Sequence, residues 1–364
     1  MIIGKYEINP QVIILSLRML KNSLITHLAG VPSVSKSTPY EISVETIKGN
    51  TNGIVRAGSK QFRYGWTVDT GKAFRGLKKV LSGEQLSSLC ERILNTSSGY
   101  VPTCFSNNSA FNIPYKRVDN LPWLFFMIDE LDNDLLEEKS EVLQKLYEHW
   151  MREYWSPEKS MIKTEATHDW IDTCLRPSST YSNLCVLKMF EIIDRKLGIK
   201  THTNRLKEAL LVKRWAEDHF IDFEGSGDYL VGDANALALY FELFDRSLRE
   251  TIASTLERSG LMEPFPMKLR GGSYDDGMML FFTRFSPTYH TTSIWPHIGL
   301  MALNGFKKLN IPYKEYKERI DKVVMKYGFL EVFGEKGKPY STPFHVAEHD
   351  LTLFAGQYLE LSND

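Results

Sequence analysis

The sequence predicts an all-α chain folded as an (α/α)6 barrel, a toroid of six helical hairpins with long loops and short β-strands gathered at one end. Three observations lead there. Long and short connections alternate along the chain: long at 29–69, 96–119, 154–178, 221–231, 260–288 and 328–344, short near Ser82-Gly83, Asp132-Asn133, Gly198-Ile199-Lys200, Asp245-Arg246 and Asn310-Ile311. Antiparallel neighbours joined in this way place every long loop at the same end. Apolar helices follow the long loops and charged amphipathic ones mostly precede them, as expected of inner helices wrapped by outer ones. No repeat of fixed period runs through the chain, which argues against an open solenoid of stacked helix pairs.

Apolar spacing and stop signals place helices at 10–28, 70–82, 84–95, 120–132, 134–153, 179–197, 202–220, 232–245, 247–259, 289–308, 312–327 and 345–361. The helix from 134 sets Leu135, Val142, Leu146, Tyr147, Trp150 and Tyr154 on one side, with Glu137, Glu138, Lys139 and Lys145 opposite, so it is a surface helix with one buried stripe. Leu121 to Ile128 and Asp233 to Phe241 are apolar nearly all round and read as helices buried on every side. The whole of 1–364 reads as a single domain.

Composition narrows the function classes. With 43% hydrophobic and 24% charged residues, the chain is an ordinary globular one, neither disordered nor fibrous. A net charge of −1 removes the basic surface that nucleic-acid binding needs. Cys90, Cys104, Cys174 and Cys185 are widely spaced and form no Cys-x-x-Cys pair, so they read as reduced thiols and not as a zinc or disulfide framework. The apolar run Val12 to Leu17 is too short to span a membrane, and no signal-like cleavage site follows it. The reading is cytoplasmic, with no membrane partner and no preference on oligomeric state.

The stretch from Glu165 to Thr173 packs three carboxylates, His168 and Trp170 into one loop between two helices. Asp172 stands behind Trp170, and an aromatic wall beside a carboxylic acid raises its pKa toward use as a general acid. The plainer alternative is that Asp169 or Asp172 caps a helical turn. Glu331 sits in an apolar frame of Phe329, Leu330, Val332 and Phe333, suited to a carboxylate that activates water; Glu335 and Glu348 are its rivals nearby. Asp69 and Asp119 each end a long loop before an apolar helix, as N-caps or as acceptors for sugar hydroxyls, with Trp66, Trp123, Tyr289 and Trp295 offering faces for stacking. His290 and His297 lie seven residues apart, a spacing that suits core or rim positions better than metal ligation. No Gly-rich phosphate loop is present, so no nucleotide or metal cofactor is expected.

Taken together, these segments resemble the inverting (α/α)6-barrel glycoside hydrolases of the glucoamylase, glycogen-debranching α-1,6-glucosidase and processing α-glucosidase group. Trp66-Thr67-Val68-Asp69-Thr70 resembles that group's W-x-R-D-T, whose Asp holds the sugar; Val68 stands where the family has Arg, and Arg63 or Arg176 are the candidates to replace it. Val118 to Phe125 is similar to V-D-A-x-L-W-F, and Trp170-Ile171-Asp172 to W-M-D, which carries the general acid. Tyr289 to Pro296 resembles the segment ending in W-P that lines the sugar pocket, and Phe329 to Phe333 resembles I-S-E-I-F or F-Y-E-Y-F, which supplies the general base. The larger enzymes usually carry an extra N-terminal β-rich domain, whereas this chain is expected to open directly on a helix; smaller relatives such as the mannosylglycerate hydrolases lack that domain too.

The resemblance implies an inverting, exo-acting glycoside hydrolase, cleaving an α-glucoside or short glycoside, with Asp172 as acid and Glu331 as base. It further implies Trp66, Asp69, Asp119, Trp123, Trp170, Arg176, Tyr289 and Trp295 as sugar contacts. The alternatives are a sugar 2-epimerase-type isomerase on the same barrel, using His168, His290, His297 or His345, and a non-catalytic carbohydrate-binding protein.

Overall fold

Among the described residues, six buried helices form a closed ring and six more wrap them. The computed structural model describes residues 2–3, 6–7, 10–29, 37–107, 109–112, 117–272, 274–275, 277–279, 286, 288–342 and 345–362; parts of the connections expected at 29–69, 96–119, 260–288 and 328–344 lie outside these described residues. A short hairpin, β1 (Ile2–Ile3) with β2 (Tyr6–Glu7), precedes α1 (Pro10–Ala29). After α1 come α2 (Pro39–Asn50), α3 (Thr67–Leu77), α4 (Gly83–Thr96), α5 (Asn120–Asp129), α6 (Leu135–Glu138), α7 (Ser140–Tyr154), α8 (Thr180–Lys196) and α9 (Thr203–Lys213). The series ends with α10 (Gly232–Tyr240), α11 (Arg246–Arg258), α12 (Pro296–Leu309), α13 (Lys314–Tyr327) and α14 (Thr352–Leu361).

The inner ring runs α3, α5, α8, α10, α12, α14 and back to α3, each packed on the next, with α2, α4, α7, α9, α11 and α13 outside. This is the (α/α)6 barrel. As the apolar patterns predict, Asn120 to Ile128 and every residue of α10 are buried. Short strands lie in the long connections: β3 (Gly65–Trp66), β4 (Cys104–Phe105) and β5 (Ala110–Phe111) form one antiparallel sheet, while β6 (Trp155–Ser156) pairs β7 (Met161–Ile162) and β8 (Trp215–Ala216) pairs β9 (His219–Phe220).

The first outer helix corrects the sequence reading. It is α2, inside the connection expected at 29–69, and α1 is an additional helix whose Ile13, Leu17, Leu20 and Leu24 stand exposed. Hydrophobic periodicity passes over α2 because Ser43, Thr46 and Asn50 share its buried face with Ile42 and Ile47. Its start is nonetheless written in the sequence as a capping box. Glu41 N–H donates to Thr38 Oγ1 at 3.2 Å, Thr38 N–H donates to Glu41 Oε2 at 2.9 Å, and Pro39 fills the first helical position.

Other boundaries shift for local reasons. The helices expected from 289 and 345 begin at Pro296 and Thr352, after Trp295 and Leu351 in extended conformation. The helix expected at 202–220 stops at Lys213 and gives way to the β8–β9 hairpin. The stripe on α7 is Leu143, Leu146, Tyr147 and Trp150, with Val142 turned outward. All four cysteines are free and buried, and among the described residues no helix is long and apolar enough to cross a membrane.

Ring closure depends on close backbone approach between α3 and α14. A Cβ on Gly76 would run into the backbone carbonyl of Gly356, and one on Gly356 would lie 2.7 Å from Ala73 Cβ. Gln357 on α14 donates its side-chain amide to the Lys72 carbonyl on α3. Gly76→Ala is therefore expected to destabilise the barrel by about 1–3 kcal/mol, since backbone cannot move aside as a flexible side chain would. The midpoint of urea denaturation measures this; an unchanged midpoint would show that α14 can shift freely.

Candidate active site

The loop-rich end of the barrel collects the carboxylates. Glu331 follows α13 after Gly328, whose φ of 70° turns the chain back in a conformation open to glycine. Phe333 then exchanges hydrogen bonds with Ile294 at 2.7 and 2.9 Å, and Glu331 N–H donates to the Glu348 carbonyl at 3.0 Å. Two donors converge on the Glu331 carboxyl: the Tyr289 hydroxyl at 2.6 Å on Oε1 and the Glu348 N–H at 3.1 Å on Oε2. Burial raises its pKa to about 8, both hydrogen bonds favour the anion, and the charges of Glu348 and Asp69 oppose it.

The rivals of Glu331 are otherwise engaged. Glu348 accepts the backbone N–H groups of Lys60, Gln61 and Phe62 at 2.7–3.0 Å, and so ties the loop before β3 to the end of the chain. Glu335 lies at the surface, 3.9 Å from Lys268.

Asp169 shapes the loop that carries Asp172. Its Oδ1 accepts Ile171 N–H at 2.9 Å, and its Oδ2 accepts from Arg176 at 2.8 Å and Ser179 at 2.6 Å. Asp172 itself is left with 31% of its side chain exposed and pairs with Arg117 Nη2 at 2.9 Å. Enclosure raises its pKa, and the Arg117 guanidinium opposes the rise. Arg117 also lies 5.2 Å from the Trp66 ring.

Asp69 lies in the first turn of α3. Its pKa is raised to about 6 by burial and by the charge of Asp172, against Lys72 and Arg117. Because Asp69 feels Asp172, while Glu331 feels Asp69, the three acids share one electrostatic neighbourhood. Tyr289, bonded to Glu331, also feels the charge of Asp172. Asp119 is fully buried at the start of α5. Its Oδ2 accepts Trp170 N–H at 3.1 Å, and burial together with the Asp169 charge raises its pKa to about 7.

Aromatic rings form the wall. Trp170 meets Trp295 edge to face at 5.3 Å and donates Nε1–H to Asp233 at 2.9 Å; Trp295 stacks on His290 at 4.6 Å and donates to the Tyr289 carbonyl. Two expected sugar contacts lie behind this wall. Trp123 is a core residue of α5, bonded through Nε1 to the Tyr181 hydroxyl at 3.0 Å. Arg176 is wholly enclosed and bonded to Asp169, Asp222 and Asp233 at 2.8–2.9 Å. Arg63 is exposed and bonds the Lys60 carbonyl, so the arginine beside Asp172 is Arg117, two residues before Asp119 in sequence. Burial lowers the pKa of His290 and His297 far below the usual value, and those of His168 and His345 to about 4, leaving neutral rings at neutral pH.

Comparisons with known proteins follow the fold. No protein-family model and no curated protein sequence matches the chain. Among solved structures it is similar to the mannosylglycerate hydrolase of Thermus thermophilus, in complex with Tris, at TM-score 0.63 and 10% identity, covering 88% of this chain and 99% of that one. A wild-type glycosidase superposes at TM-score 0.63 with 12% identity over 89% of this chain and 95% of that one. A rhamnosidase from Klebsiella oxytoca, with rhamnose bound, does so at TM-score 0.61 with 11% identity over 90% of this chain and 64% of that one. The chain shares the (α/α)6-barrel fold with these glycosidase structures.

Proposed function

We propose that this protein is an inverting, exo-acting glycoside hydrolase that cleaves an α-glucoside or another short glycoside, as a single cytoplasmic domain. Asp172 protonates the leaving glycosidic oxygen, and Glu331 takes a proton from the water that attacks the opposite face of the sugar. Asp69 accepts sugar hydroxyls, against the wall of Trp66, Trp170, Tyr289 and Trp295, while Asp119, also expected as a sugar contact, is enclosed behind that wall and holds the Trp170 N–H. The observation that carries this reading is a short chain of contacts between the two acids: the Tyr289 hydroxyl is 2.6 Å from Glu331, its ring packs on His290 at 4.5 Å, and His290 bonds Thr173, next to Asp172, at 2.6 Å. Complexes of the Thermus enzyme with glucose and with D-glycerate support a small carbohydrate as the substrate class. Single displacement calls for about 6.5–9.5 Å between the two carboxyl groups, room for one water.

Proton NMR tests the reading by following α-linked glucosides, trehalose, maltose, isomaltose and mannosylglycerate. Early release of a sugar with inverted anomeric configuration supports it. Release with retained configuration, or turnover that survives Asp172→Asn, overturns it.

The titration of Glu331 gives a further expected result. A base must be ionised, and the Tyr289 hydroxyl donates to the ionised form. Removing that donor in Tyr289→Phe raises the Glu331 pKa still further, so the limb of the kcat/KM profile governed by Glu331 moves to higher pH by about one unit, the worth of one hydrogen bond to a charge. A limb that stays in place would separate Tyr289 from the base.

A further inference from the structure

Buried charge is handled in two contrasting ways in this barrel. Arg176 is enclosed with three carboxylates, each at hydrogen-bond distance, as a cation retained for stability requires. Lys72 on α3 is equally enclosed, yet its Nζ has no hydrogen-bond partner among the described residues. It lies 3.9 Å over the Trp170 ring and 5.1 Å over the Tyr181 ring, held by ring faces. An unbonded ammonium sealed in a core is costly, and such breaches of packing rules collect where a site needs a field.

The groups facing Lys72 show where that field acts. They are Asp69 on α3, Asp119 at the start of α5, Cys185 on α8, Asp233 on α10, and His290 and His297 beside the Trp170 wall. Asp233 is already balanced by Arg176 and Trp170 Nε1, and Asp119 receives the Trp170 N–H. Asp69, one helical turn before Lys72 and on the same face, is the strongest opposite charge and receives no hydrogen bond from any described residue.

We propose that Lys72 is a positioning residue for Asp69: its ammonium, sealed under the Trp170 ring one turn deeper in the barrel, keeps that carboxylate ionised and free to accept sugar hydroxyls. This rests on the reading of Asp69 as a sugar contact. The lysine never touches the substrate; it sets the charge of the group that does. An opposite charge at this range lowers a carboxyl pKa by about 1–3 units.

The test uses Lys72→Met, and Lys72→Gln as a second uncharged variant where the first folds poorly. In either, Asp69 takes up a proton near neutrality, so the loss falls on KM more than on kcat. With the Asp69 carboxyl at about 6 in the parent, a one-unit rise makes the ratio of variant to parent KM about twofold at pH 7, growing toward about tenfold below pH 5 and falling toward one as the pH is raised. A ratio independent of pH overturns the proposal, since a merely structural lysine gives that result. Urea denaturation of Lys72→Met, Asp69→Asn and the double variant reads the pair without any substrate. The coupling between the two changes reads the pair, whatever the sign of the Lys72 change alone: the double variant departs from the sum of the single ones, whereas additive changes overturn the pairing. Should the parent turn over no glycoside, the glycosidase reading fails, and the denaturation cycle still decides whether Lys72 balances Asp69.

Discussion

Glu331→Gln is expected to lower kcat by about 10²–10⁴-fold, the usual contribution of a positioned base, while the protein stays folded. The amide keeps one oxygen to accept the Tyr289 hydroxyl at the Oε1 position, now 2.6 Å away, so the loop is still held at one of its two points. What is lost is the ability to take a proton from water. The NH2 group also turns a donor toward the Glu348 N–H, which now donates to Oε2 at 3.1 Å, at a cost of about 1–3 kcal/mol in stability. Steady-state kinetics beside a thermal melt separates the two effects. Glu335→Gln is the control, because that side chain lies at the surface. Equal losses in the two variants would remove Glu331 from the role of base.

Arg176→Met is expected to cost the most in stability, about 3–5 kcal/mol, because it strands a buried cluster of acids. Asp169, Asp222 and Asp233 all bond this one guanidinium, and none of the four is more than 2% exposed. Other donors remain, from Ser179 to Asp169, from Tyr274 to Asp222 and from Trp170 to Asp233, but none of them carries positive charge. Arg176→Lys recovers only part of the loss, since one ammonium cannot copy the planar fork that reaches three partners. Urea denaturation near neutral pH reads the difference. A loss below about 1 kcal/mol would mean that the acids take up protons when the arginine is removed, in keeping with the ease with which buried carboxyls neutralise.

The sequence shows the barrel's connectivity more clearly than its boundaries. Loop alternation and all-round apolar helices such as Leu121 to Ile128 report burial directly, and burial is what a ring of inner helices consists of. The helix from Pro39 was legible only as the Thr38–Glu41 capping box, since its buried face is half polar. At the site, Trp170-Ile171-Asp172 and the apolar frame of Glu331 point to the two acids that the fold brings near Asp69. Arg176 was misleading, because a sequence does not tell an arginine facing a pocket from one sealed among acids. Arg117 was missed because its partner, Asp172, lies 55 residues away. Lys72 leaves one signal, a charge on the buried face of a helix whose neighbours Ala73, Phe74 and Leu77 are apolar.

The tie between α3 and α14 also bears on how the protein comes into being. Asp69 lies near the start of the ring, and Glu331 near its end. The clasp that joins them includes Glu348 on the amides of Lys60 to Phe62 and Asn50 on Asp350 and Thr352, pairs separated by 286–302 residues. Contacts at such separations form late, after many shorter loops have closed. A chain emerging from the ribosome can stack its first hairpins early, yet it has no complete mouth until α14 docks beside α3. Activity should therefore appear in a single late step of refolding, well after helical content has recovered.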